Sequence, residues 1–236
     1  MSDIAAQSNC VSHGSLAGEF LQSLSFGALE DLFSLAGLKN YEPNRILFTE
    51  GDRSSSVEII LDGEVRLFVH AGSGRRLIFR NACAGDLLGL AAAFAGKSQC
   101  MTAQTIYPCS IASIRQEEFM GFLLRHPAAC QSAGREMSRE CFRNIARLRT
   151  MGLASSAQAR LAGLLLEWSA AGQQTNRGRR FRVPMTHGEL GDCIGASRET
   201  ISRTMSDLQK DRVLELRGSL VTILDPSELE TRSIGR

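Results

Sequence analysis

The stretch "GASRETISRTMSDLQKD", Gly195–Asp211, decides how the C-terminal third of this chain folds. Ser197 is placed to cap a helix whose residues Ile201, Met205 and Leu208 recur at i, i+4 and i+7, the spacing of a buried stripe. At about 100° per residue, Arg198, Glu199, Ser202 and Arg203 are centred more than roughly 100° around the axis from that stripe. They form one polar face turned away from the core. Upstream, "MTHGEL" sets Thr186 three residues before Glu189, a capping box that opens a helix burying Leu190 and Ile194 and stopping at Gly195. Downstream, "VLELRGSLVTIL" reads as two strands around Gly218. Helix, tight turn, helix and β-hairpin make a winged helix-turn-helix.

The polar face suits base edges. An Arg forks onto guanine O6 and N7, a Glu accepts from cytosine N4, and a Ser binds a base or a phosphate. An isolated Arg/Glu run would be a solvated surface. Here it coincides with the capping box, the turn, the wing and a basic lead-in, "QQTNRGRRFRVP", and the combination points to double-stranded DNA. The net charge of +2 neither requires nor excludes a polyanion, so the affinity must come from local placement.

The rest of the chain has a different character. Its 236 residues, 43% apolar and 22% charged, suit two modest globular domains. There is no run of about 18 apolar residues for a membrane span and no secretory pattern at the start, so a cytoplasmic location is expected. Seven cysteines at scattered spacings suggest reduced thiols. Residues 1–15 read as a flexible end. Between about Leu16 and Gly37 the apolar spacing is helical, and then it changes to two in Val57, Ile59 and Leu61, in Val65, Leu67 and Val69, and in Leu77 and Phe79. With Gly51, Gly63, Gly72, Gly74 and Gly85 as punctuation, this predicts a half-buried antiparallel sheet closed into a barrel or sandwich. A long helical stretch follows, in which Met137, Cys141, Asn144, Leu148 and Met151 are spaced as a coiled-coil seam for a homodimer. The expected fold is α+β: an N-terminal antiparallel β jelly-roll barrel over 16–127, a dimerisation helix over 128–153 and a winged helix-turn-helix over 154–230.

The segment from Met185 to Ile223 resembles the DNA-binding domain of the Crp/Fnr family of bacterial transcription regulators, with "SRETISR" as its specific part. The glycine-punctuated barrel and long helix resemble that family's cyclic-nucleotide-binding-type sensor, so the likeness spans about Leu16 to Leu224. The resemblance implies base reading by Arg198, Glu199 and Arg203 in the manner of the cyclic-AMP receptor branch. In the manner of the Fnr branch it implies Glu199, Ser202 and Arg203. It implies phosphate contacts at Thr186, His187, Ser197 and Thr200, a dimer on an inverted repeat with half-sites roughly 34 Å apart, and RNA polymerase as a partner.

The sensor departs from the family pattern. Where cyclic-AMP binders carry a Glu after the Gly, Gly89 is followed by Leu90, and Gln99, Cys100 and Met101 surround the positions of the Arg-Ser pair. A buried phosphate without a charged partner is costly. On the long helix, Asn144 replaces the small hydroxyl residue over the purine. These residues mark the expected effector pocket, and its effector is not expected to be cyclic AMP. The four thiolates of an iron-sulfur cluster are not assembled either, since Cys10 stands alone near the start. None of His13, His70, His126 and His187 stands out as a haem ligand, and no metal site or cofactor is expected. Cys193, on the first helix of the DNA-reading pair, is a candidate for redox control if exposed.

These readings converge on a sequence-specific, homodimeric DNA-binding regulator whose recognition helix covers 197–210. The alternative is a ligand-binding regulatory module with a vestigial helix-turn-helix. No catalytic residues are expected: no nucleophile-base pair or phosphate loop is present, and "GSG" at Gly72–Gly74 reads as a hairpin turn.

Overall fold

The computed structural model describes residues 18–70, 75–154 and 156–234, so Cys10, His13, Gly72, Gly74 and the expected flexible end lie outside the described residues. The chain divides into two compact units, one formed by Ser15–Val69 with Arg80–Arg143, the other by Asn144–Arg236 with His70–Phe79.

The first unit begins with α1 (Glu19–Gln22) and α2 (Phe26–Ser34), then β1 (Gly37–Tyr41), β2 (Ile46–Phe48), β3 (Ser56–Asp62) and β4 (Glu64–His70). β5 (Arg76–Cys83), whose residues up to Phe79 are grouped with the second unit, β6 (Leu87–Leu88), α3 (Leu90–Ala95), β7 (Thr102–Thr105), β8 (Cys109–Arg115) and α4 (Gln116–Arg125) follow up to α5 (Pro127–Leu153). Its strands form two four-stranded sheets, ordered β1-β8-β3-β6 and β2-β7-β4-β5. β3 runs antiparallel to β8 with Ile59 opposite Ala112, and β4 antiparallel to β7 with Leu67 opposite Ala103. This is the β-rich sensor architecture that the alternation predicts.

The alternation understates burial in one strand. β3 is apolar at Val57, Ile59 and Ile60, and all three are fully buried. Val57 and Ile59 pack in a cluster with Leu32, Phe119 and Phe122 from α2 and α4, whereas Ile60 packs with Val65, Leu67 and Ala82. Helices on one side and the opposing sheet on the other dry both faces, so the strand is not half-buried. At the start of β5 it is Ile78 that is fully buried, while Leu77 and Phe79 are half-buried, because the run is apolar on both faces and its pattern is ambiguous. Gly63 joins β3 to β4 at φ 93°, and a Cβ there would lie 2.5 Å from the Pro108 carbonyl oxygen, so the turn requires glycine.

Helix α5 starts one residue before the expected boundary. Its 27 residues make it about 40 Å long at 1.5 Å per residue. Ala129 and Ala133 are small enough to seat its first turns on the cluster around Phe119. Further on, the contact is ionic. Arg80 reaches Asp86 at 2.6 Å and Glu140 at 3.8 Å, Glu136 takes Arg143 at 2.8 Å and Arg139 at 3.2 Å, and Arg139 also pairs with Glu19. Burial acts to lower the Arg80 pKa, but Asp86 and Glu140 outweigh it, and the guanidinium is held charged.

The residues of the expected seam differ in exposure. Met137 packs against the core and Asn144 is half-buried, while Cys141, Phe142, Ile145 and Leu148 are exposed. The exposed stripe runs through Ser138, Cys141, Ile145 and Leu148 at spacings of three, four and three. Met137 satisfies the same heptad arithmetic, and only packing shows that its side faces the chain's own core.

The second unit contains α6 (Ala157–Ser169), β9 (Gln173–Thr175), β10 (Gly178–Arg182), α7 (His187–Ile194), α8 (Arg198–Lys210), β11 (Leu214–Arg217), β12 (Leu220–Ile223) and α9 (Pro226–Ile234). The basic lead-in forms a hairpin that joins the wing in one sheet, ordered β11-β12-β10-β9, with Phe181 opposite Val221. Helix α9 extends the domain beyond residue 230.

Candidate nucleic-acid interface

The helix-turn-helix forms as its local signals require. Thr186 Oγ1 accepts from the Glu189 amide at 3.2 Å while Glu189 Oε2 accepts from the Thr186 amide at 2.8 Å, closing the capping box of α7. Gly195 ends that helix in the left-handed region at φ 67°, and Ser197 Oγ accepts from the Thr200 amide at 3.2 Å to start α8. Gly191 allows the turn to close tightly, since a Cβ there would lie 2.5 Å from the Ala196 carbonyl oxygen. Ile201, Met205 and Leu208 are buried together with Thr204. Arg198, Glu199 and Arg203 are exposed and Ser202 is half-buried.

Among the described residues, neither Arg198 nor Arg203 pairs with a carboxylate, so both guanidinium forks are available to acceptors from outside. The Glu199 carboxyl is held below the usual carboxylate range by its own backbone N–H and by the Ser197 hydroxyl, with a smaller contribution from Arg198. It is therefore a charged acceptor. His187 Nδ1 lies 2.8 Å from Ser202 Oγ and so ties the first residue of α7 to the polar face of α8. Thr186, His187 and Arg198 line one cleft, and Ser197, Arg198 and Thr200 line a second.

Arg160 of α6 also lines the second cleft, its Nε donating to the Ile194 carbonyl at 2.8 Å. Sequence reasoning missed it, because it stands 38 residues before Arg198 within an ordinary amphipathic helix. On the sheet, Arg182 donates to Ser219 Oγ at 3.0 Å and Arg180 to Thr222 Oγ1 at 3.4 Å, so the lead-in arginines lie on the wing. Cys193 is buried, with Sγ 3.8 Å from the Met185 sulfur, and the exposure on which its oxidation depended is absent. Cys100, Cys109, Cys130, Cys141 and Cys193 are free thiols, as the expectation of reduced thiols has it, whereas Cys83 is disulfide-bonded. Spacing along the chain carries no information about which sulfurs meet in space.

The sensor residues are only partly gathered. Gly89, at φ 76°, precedes α3, and a Cβ on it would sit 3.0 Å from Gln99 Nε2. Leu90 and Gln99 are buried, Met101 packs on the Ile60 cluster, and Cys100 is exposed. Asn144 belongs to the second unit. Of the four candidate histidines, His126 Nε2 lies 2.8 Å from Asp31 Oδ2. Among the described residues no cluster of His, Cys, Asp and Glu could hold a metal ion, and no helix is long and apolar enough to cross a membrane.

Residues 159–232 match the Crp-like helix-turn-helix domain and residues 38–126 the Cyclic nucleotide-binding domain. The transcriptional activator protein FnrA of Stutzerimonas stutzeri is 30% identical over 183 residues, which is 76% of this chain and 73% of that protein. The chain belongs to the Crp/Fnr family. The fumarate and nitrate reduction regulatory protein of Vibrio cholerae is similar at 29% identity over 81% of this chain and 76% of its own length. Two solved structures share the fold. A CooA mutant from Carboxydothermus hydrogenoformans has a TM-score of 0.80 at 17% identity, covering 94% of this chain and 98% of that one. FixK2 from Bradyrhizobium japonicum has 0.71 at 21%, covering 85% and 98%. As a Crp/Fnr regulator the chain couples a sensor domain to a DNA-binding helix-turn-helix, and its relatives are transcription regulators rather than enzymes.

Proposed function

We propose that this Crp/Fnr regulator binds as a homodimer to an inverted repeat, with residues 197–210 in the major groove. Arg198, Glu199, Ser202 and Arg203 read bases, and Thr186, His187, Ser197 and Thr200 contact phosphates. The observation that carries this reading is that, among the described residues, the guanidinium groups of Arg198 and Arg203 have no carboxylate partner, on a helix anchored through Ile201, Met205 and Leu208. The sensor covers 16–127, the dimerisation helix 128–153 and the DNA-binding domain 154–230 together with α9. As a dimer on DNA it acts in the cytoplasm and engages RNA polymerase.

Its control does not run through cyclic AMP in the family's usual way. Leu90 is apolar and buried, and Gln99 is neutral and buried, so a cyclic phosphate at this place would lack a charged partner. Gly89, Leu90, Gln99, Cys100 and Met101 mark the region in which a different effector would act.

Selection of bound sequences from random DNA, with and without cyclic AMP, tests both parts. A palindromic consensus that is unchanged by cyclic AMP and lost in Arg198→Ala is expected. A consensus without two-fold symmetry would remove the dimeric reading. Unaltered binding by Arg198→Ala would favour a vestigial helix-turn-helix.

A further inference from the structure

Three short segments of the sensor unit, "RSSS" at Arg53–Ser56, "GKS" at Gly96–Ser98 and "RQEE" at Arg115–Glu118, are remote in sequence, but the fold brings them to one place. An isolated antiparallel bridge pairs Arg53 with Ser98. The Gln116 amide donates to the Ser55 carbonyl at 2.9 Å, and Gln116 Nε2 donates to the Ala93 carbonyl at 3.0 Å, which ties the start of α4 to the first segment and to α3, the helix that leads into the second. Between the segments lies a cleft of about 1080 Å³, lined by Arg53, Ser54, Lys97, Arg115 and Glu117 among others.

The charges around this cleft do not cancel. Among the described residues, Arg53 and Lys97 have no carboxylate partner. Arg115 is paired with Glu118 at 2.6 Å, but its side chain is 77% exposed and it still lines the cleft. Glu117 is the lining carboxylate that opposes them. Ser54 is only 7% exposed, and among the described residues its buried hydroxyl oxygen has no hydrogen-bond partner. A buried hydroxyl left unsatisfied is unfavourable, and one in the wall of this cleft can be satisfied by an acceptor from outside the chain. The ten-residue helix α4 opens here without a side-chain cap, which leaves first-turn N–H groups without a side-chain acceptor.

We propose that this cleft binds the phosphoryl group of a small anionic ligand. Two guanidinium forks, an ammonium and a buried hydroxyl supply more donors than the two carboxylates of Glu117 and Glu118 accept, and a tetrahedral phosphoryl group, with its negative charge spread over three terminal oxygens, can take the remainder. All the lining residues belong to the sensor unit and none belongs to the DNA-reading face. The site is therefore independent of the assignment of α8.

Titration calorimetry on the full chain, with inorganic phosphate as the probe and succinate at equal ionic strength as the comparison, tests the proposal. Saturable binding of one phosphate per chain is expected, with succinate at least about tenfold weaker. Arg53→Gln with Lys97→Gln weakens phosphate binding by about tenfold or more, and Ser54→Ala by several-fold. DNA affinity and melting temperature of the exposed double variant stay at wild-type values in phosphate-free buffer. Absence of saturable phosphate binding in the millimolar range, equal binding of succinate, or full retention of phosphate affinity in the double variant would overturn the proposal.

Discussion

His187 Nδ1 and Ser202 Oγ are 2.8 Å apart, a contact that joins the first residue of α7 to the exposed face of α8. The side chain expected at a phosphate thus holds the hydroxyl expected at a base. Replacing His187 by Ala frees the Ser202 rotamer and is expected to cost about 0.5–1.5 kcal/mol of operator affinity, the net worth of one hydrogen bond. Fluorescence anisotropy on a selected operator measures it. A variant that binds as tightly as wild type would remove this positioning role.

The exposed stripe on α5 distinguishes two dimer geometries. Ile145→Glu is expected to convert a dimer to a monomer in sedimentation, because it places a charge in the stripe of Cys141, Ile145 and Leu148. Met137→Ala, which removes a side chain packed on the sensor core, should lower stability by about 1–3 kcal/mol and leave the oligomeric state unchanged. The reverse pattern would restore the seam through Met137 and Asn144.

The sheet of the DNA-binding domain depends on one glycine. Gly178 has φ 132°, and a Cβ there would meet the Ile223 carbonyl oxygen of β12. Gly178→Ala is therefore expected to cost about 2 kcal/mol or more, through strain and displacement of the wing. A denaturant midpoint equal to wild type would show that the β9-β10 hairpin does not pack as described.

Asp31 is expected to add an acid-dependent increment to the stability of the sensor. Its pKa is lowered from 3.8 by hydrogen bonds from His126 and then Arg125. A carboxylate whose folded pKa is depressed contributes stability that is fully present above its unfolded pKa and lost as pH falls through the folded one. Wild type should thus exceed Asp31→Asn in melting temperature at neutral pH, and the gap should close below pH 3.8. A gap independent of pH would sever the link to Asp31 ionisation.

Much of the DNA-reading unit was legible because its signals are local. Thr186 and Glu189, Gly195, Ser197 and the Ile201-Met205-Leu208 stripe each act within a turn or two of helix, and each falls where spacing put it. The pairing of the 178–182 arginine strand with the wing was not legible. β10 and β12 are about 40 residues apart, and strand partners are chosen by burial of Phe181 and Val221. Arg160 was missed for the same reason.

The sensor divides along similar lines. Alternation marked the strands, and Leu90 and Gln99 are uncharged where the family resemblance leads one to expect charged partners for a cyclic phosphate. Burial of both faces of β3, the side of α5 left open and the meeting of Arg53, Ser54 and Lys97 in one cleft came only from packing. By itself the sequence determined the helix-turn-helix, its polar face and the β-rich sensor, because hydrogen-bonded caps and residue periods are properties of neighbouring residues. Tertiary structure decided which face of each element is dry and which distant charges share a cleft, because burial and electrostatics depend on distance in space rather than along the chain.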